Sequence, residues 1–151
     1  MLKLVLLSIS ALYVTTAGAS NVMVTSSRFE VIFPKTDASS VVQSVHDAYS
    51  LLLNPGKKSV RFLPSPLPSS PDGPVQTMSN AGQISIPEME CPTAYAEFTF
   101  DREGVSSTFG RTGEVHRGCL YPFEQGFKLY GLVTSYKASS TGLGNSIVGG
   151  F

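Results

Sequence analysis

The stretch from Ala94 to Tyr136 decides the reading of this chain. It runs AYAEFTF (94–100), REGVSSTFGRTGE (102–114), VHRGCLY (115–121), PFEQG (122–126) and FKLYGLVTSY (127–136). Three of these runs are rich in aromatic and β-branched residues and read as strands. The two between them carry Gly or Pro and read as a loop and a turn. Alternation in the first run puts Tyr95, Glu97 and Thr99 on one face and Ala94, Ala96, Phe98 and Phe100 on the other. The apolar face is the one a core covers, so Glu97 sits mid-strand where folding needs no carboxylate. In the second run Arg117, Cys119 and Tyr121 share a face, which makes Glu97 and Arg117 candidate neighbours across an antiparallel pair. A carboxylate and a guanidinium so placed suit either a site for phosphate chemistry or a plain cross-strand ion pair.

Upstream, RFEVIF (28–33) alternates as a strand that Pro34 ends. Thr36 and Asp37 offer an N-cap, and Ala38, Val41, Val42, Val45, Ala48, Tyr49 and Leu52 fall at helical spacing until Asn54-Pro55-Gly56. His46 and Asp47 lie off this stripe and read as a solvated face. SVRFL (59–63) and QISI (83–86) read as short strands. Between them, residues 64–74 (PSPLPSSPDGP) hold five prolines. They form an extended loop, either a linker or a binding loop. The order is one strand, one helix, then further strands, which predicts an α+β domain with one helix on an antiparallel sheet of four to five strands.

The chain opens like a secretory signal: Lys3, an apolar run from Leu4 to Val14, and the small-residue site Ala17-Gly18-Ala19. The run is shorter than a membrane span needs. Cleavage after Ala19 would leave residues 20–151 as a single domain, secreted, with onward passage into a host cell left open. Loss of Lys3 leaves ten Lys and Arg against eleven Asp and Glu. That balance lacks the basic surface that grips long nucleic acid, and argues against DNA as partner. Cys91 and Cys119, an even pair on an oxidising route, predict one disulfide, with two buried thiols as the alternative. Two Cys and two His without ligand spacing predict no metal site.

Four fragments in order resemble the fungal guanyl-specific ribonucleases, a branch of the microbial ribonucleases. Tyr95-Ala96-Glu97-Phe98 is similar to that family's Tyr-Tyr/Ala-Glu-aromatic strand. His116-Arg117-Gly118-Cys119-Leu120 is similar to its Asp-Arg-Val-Val-Phe strand. Gly131 to Tyr136 (GLVTSY) resembles Gly-Val-Ile-Thr-His-Thr, and Gly144 to Val148 (GNSIV) resembles a Gly-Asn-Asn-Phe-Val tail. The resemblance covers residues 94 to 148 and, more loosely, the helix. It implies that Glu97 is the base for the ribose 2′-OH and that Arg117 steadies the phosphorane charge, with Tyr95, Arg117, Tyr136 and Asn145 contacting RNA.

The family's general acid, a histidine, is replaced here by Ser135, whose hydroxyl cannot protonate a leaving oxygen near neutral pH as an imidazolium can. Leu63-Pro64-Ser65 stands where a second family histidine lies, the guanine-binding loop has no counterpart, and Tyr136 is too weak an acid to substitute. His116, adjacent to Arg117 on a strand, should project to the opposite face. The resemblance therefore implies a secreted, catalytically inactive ribonuclease-like effector. It would be a monomer without cofactor, holding RNA or a host protein by weak, local contacts. The alternatives are an active guanyl-preferring endoribonuclease giving a 2′,3′-cyclic phosphate, and a structural secreted protein.

Overall fold

The computed structural model describes residues 5–7, 13–16, 22–54, 56–81, 84–106 and 110–138. Two short strands, β1 (Val5–Leu7) and β2 (Tyr13–Thr16), precede β3 (Val22–Pro34) and α1 (Ala38–Ser50). Then follow β4 (Lys57–Val60), β5 (Val75–Ala81), β6 (Ile84–Glu90), β7 (Ala96–Ser106), β8 (Gly110–Phe123) and β9 (Gly126–Ala138). The body is an antiparallel sheet in the order β3-β9-β8-β7-β4, with β1 and β2 added to the outer edge of β3. One helix with mostly antiparallel strands, five of them in the body of the main sheet, makes this an α+β domain. β1 and β2 fall within the segment expected to be a cleaved leader, and cleavage after Ala19 would leave the outer edge of β3 open.

Asp37 caps the helix as its sequence position predicts, accepting a hydrogen bond from the Ser40 amide at 2.9 Å. The stripe Val41, Val42 and Val45 is buried against Phe33, Ala96, Phe98, Phe100, Leu120, Phe127 and Leu129. Burial of rings such as Phe98 and Phe100, each 1% exposed, contributes roughly 1.5–3 kcal/mol apiece. Opposite the helix, a two-stranded sheet made of β5 and β6 lies on the other face. There Met89, Ala94, Cys119, Tyr121 and Leu132 form a second core. Cys91 and Cys119 are joined in a disulfide with their Cα atoms 5.5 Å apart, which moors the end of β6 to β8.

Four expectations are corrected. Residues 102–106 and 110–114 are not loop: β7 and β8 pair on through Arg102↔Glu114 to Ser106↔Gly110. At Gly113 the missing Cβ leaves room for the Tyr136 ring, since an added one would lie 2.1 Å from it. The β5–β6 hairpin replaces the brief strand at 83–86, and Pro87 lies inside it, opposite Met78, because a two-stranded ribbon has a free edge where a proline needs no donor. His46 is not simply solvated: its ring packs 5.5 Å from that of Phe100. The β4 strand ends at Val60, short of the expected Leu63.

The proline-rich loop is held at both shoulders. The Glu124 amide donates to Pro68 O at 2.9 Å, and the Thr93 hydroxyl donates to Asp72 Oδ2 at 2.9 Å. These contacts set the loop beside the end of the sheet that carries Tyr121 and Tyr130.

Candidate functional site

Cross-strand register fixes which side chains share a face. Glu97 lies opposite Cys119, and Arg117 opposite Thr99, so Glu97 and Arg117 occupy diagonal positions on one face, a spacing of about 7–8 Å. That face is the one away from the helix. Both residues line a hollow of about 340 Å³, walled by Arg61, Met89, Glu90, Cys91, Pro92 and Thr99. The disulfide and the end of β6 thus form one side of the hollow, and the β7–β8 pair forms its floor.

The two charged groups differ in state. Glu97 Oε1 accepts from Arg61 Nη2 at 2.5 Å, so the partner of this carboxylate is a residue just past β4 and not Arg117. Arg61 is placed by its own amide, which donates to Tyr95 O at 2.8 Å. The pair is substantially exposed, and such pairs contribute little to stability, about 0–1 kcal/mol. Arg117 is half-buried and forms no ion pair among the described residues. Arg117 lines the hollow, and a guanidinium without a carboxylate partner has an anion as its natural complement.

Tyr95 does not join this face. β7 begins at Ala96, and the turn before it, with Thr93 at φ 59°, turns the chain so that Tyr95 packs 6.0 Å from Phe127 on the helix side. Ala94 in turn enters the disulfide-side core. Tyr136 does lie on the Arg117 face, further along the sheet, beside a narrow void of about 20 Å³ lined also by Arg117, Glu88 and Thr134. Thr134 donates to Pro87 O at 3.3 Å. Ser135 points to the helix side, because the residues of β9 that share the Arg117 face are Leu132, Thr134 and Tyr136. The position expected to replace the general acid is therefore not in the hollow. Asn145 lies outside the described residues.

Both histidines of the chain are on the helix side. His116 Nε2 is 2.5 Å from Glu114 Oε1, and its ring meets Tyr49 edge-on at 5.6 Å. His46 packs on Phe100. Neither ring reaches the hollow, so proton donation to a leaving group there has no imidazole to draw on. Among the described residues no three His, Cys, Asp or Glu side chains come together as metal ligands.

Strand alternation alone shows neither the partner of Glu97 nor the burial of Tyr121. Arg61 sits 36 residues from Glu97, and only the β4–β7 pairing brings them together. Tyr121, on the same face, is 1% exposed, and its hydroxyl has no hydrogen-bond partner among the described residues. Burial, then the nearby charges of Asp72 and Glu97, push its pKa up to about 12. Comparisons of the chain with family models, with curated proteins and with solved structures found no match.

Proposed function

We propose that this protein is a secreted, ribonuclease-like effector that binds single-stranded RNA at the hollow without cleaving it. The observation that carries the reading is that Glu97 and Arg117 share one hollow while both imidazoles lie across the sheet. Arg117 takes a backbone phosphate. Glu97 is held by Arg61, and no imidazole stands on its face of the sheet to donate the second proton that cleavage needs. Of the two guanidinium groups lining the hollow, Arg61 is paired with Glu97, so Arg117 alone is left to take one or two phosphates, hence weak binding with a shallow salt dependence.

The test uses the purified disulfide-bonded chain and a short single-stranded RNA. Total RNA comes through incubation intact, whereas cyclic-phosphate products would overturn the inactive reading. Gel retardation appears at low salt and vanishes in Arg117→Ala. The logarithm of the binding constant falls with that of salt with a slope of about −0.7 to −1.4. Absence of retardation at low salt would refute RNA as the ligand and leave a host protein as the occupant.

A further inference from the structure

We infer a second, independent ligand site on the helix side of the sheet, built for a phosphorylated sugar. A cleft of about 510 Å³ opens there, where the sheet runs past α1. Its floor is one transverse row of cross-strand partners, Thr25↔Ser135↔Glu114↔Arg102, drawn from β3, β9, β8 and β7. Lys137 lies one pleat further along β9, opposite Thr112.

The row has capacity to spare. Glu114 is held from both sides, by His116 Nε2 at 2.5 Å and by Arg102 Nη2 at 3.6 Å, which fixes the carboxylate in place. The hydroxyls of Thr25 and Ser135 make no hydrogen bond among the described residues, and Lys137 forms no ion pair among them. A guanidinium and an ammonium flank a single carboxylate, so the cleft carries net positive charge. Half-buried hydroxyls beside a fixed carboxylate suit a polyol, whose vicinal hydroxyls both donate and accept. The two cations suit a phosphate. A phosphorylated monosaccharide satisfies both at once, with its phosphate between Lys137 and Arg102 and its hydroxyls toward Glu114, Ser135 and Thr25.

Amide chemical-shift titration of the isotope-labelled, disulfide-bonded chain tests this, with glucose 6-phosphate, glucose and inorganic phosphate as probes. Glucose 6-phosphate is expected to shift the amides around Thr25, Ser135 and Lys137, and to bind about tenfold tighter than inorganic phosphate or glucose, the equivalent of one charge-assisted hydrogen bond. Lys137→Gln, at an exposed position, keeps the fold and weakens binding about tenfold, and Lys137→Arg restores it. No shift at millimolar glucose 6-phosphate overturns the site. Equal binding of inorganic phosphate overturns the sugar component. Shifts that survive Lys137→Gln but vanish in Arg117→Ala would assign the binding to the hollow and refute a second site.

Discussion

Removing the disulfide should cost this fold a large share of its stability and loosen one wall of the hollow. The bond closes a loop of 28 residues. In the chain-entropy treatment such a loop removes about 12 cal/mol/K from the unfolded ensemble, or about 3.6 kcal/mol at 25 °C. Cys119 is fully buried among Met89, Ala94, Tyr121 and Leu132, so Cys91→Ala/Cys119→Ala also leaves a sulfur-sized void worth about 1 kcal/mol. For a chain of this length each kcal/mol shifts the melting temperature by about 3–4 °C, which gives a fall of about 10–20 °C.

Thermal unfolding followed by circular dichroism measures this directly, with wild type in thiol reductant as a second arm. The effect should be unevenly distributed. The β5–β6 hairpin is moored to the sheet by the disulfide, by the Thr134–Pro87 hydrogen bond and by the packing of Ile86 and Met89. Amides of residues 84–90 are therefore expected to lose hydrogen-exchange protection first, while those of β8 and β9 keep theirs. A melting temperature lowered by less than about 3 °C, or hairpin amides as protected as before, would refute the mooring argument.

Glu97→Gln should tighten RNA binding several-fold by removing a negative charge from the hollow and freeing Arg61. It should change stability by less than about 1 kcal/mol, as read by gel shift and denaturant titration. Gly126→Ala should destabilise by about 2–4 kcal/mol in a urea titration, since φ is +145° there and an added Cβ would lie 2.0 Å from Phe33 O. Tyr121 holds its proton to about pH 12 in the folded chain but only to about pH 10 unfolded. Its contribution is therefore fully present below pH 10 and lost as pH rises toward 12; Tyr121→Phe should flatten that part of the alkaline stability profile. Asp37 has a carboxyl held below its ordinary range by the Ser39 and Ser40 hydrogen bonds. Its capping stabilises above the unfolded carboxylate pKa and fades as pH falls through the lower folded value, so Asp37→Ala should lower the melting temperature at neutral pH and leave it unchanged in acid.

What the sequence revealed follows from how locally each signal is encoded. The helix was legible because Asp37 and the Val41, Val42, Val45 stripe specify it within one short segment. The faces of Glu97, Arg117 and Cys119 were legible because alternation within a strand is strict. Tyr95 was misplaced because alternation says nothing about the residue before the strand starts, where Thr93 turns the backbone. Ser135 was matched by motif resemblance, whereas its face is fixed by pairing with Glu114, a fact of register. The Arg61–Glu97 pair depends on an edge strand of four residues docking across the β7 edge, and no local pattern carries that. The β5–β6 hairpin was hidden because VQTMSNA lacks a clean apolar alternation and Pro87 interrupts its partner.

The positions of both candidate sites have a common geometric cause. A 13-residue helix is about 20 Å long, whereas strands of 13 and 14 residues extend about 45 Å. α1 packs on the part of its face lined by Phe33, Phe98, Phe100 and Phe127, and the part beyond it, Met23 apart, is polar where it meets water. Thr25, Ser135, Glu114, Arg102 and Lys137 supply that polarity. On the other face the cover is the small β5–β6 hairpin, pinned at Cys91. Its edge leaves Glu97 and Arg117 at a step between sheet and hairpin. A step between two layers makes a hollow with a floor and a wall, while a sheet running past its helix makes an open shelf. The first shape suits a phosphate group entering end-on, and the second a ligand lying flat across four strands. If the helix were extended by two turns into the shelf, the cleft would be lost while the hollow, walled by separate elements, would keep its shape.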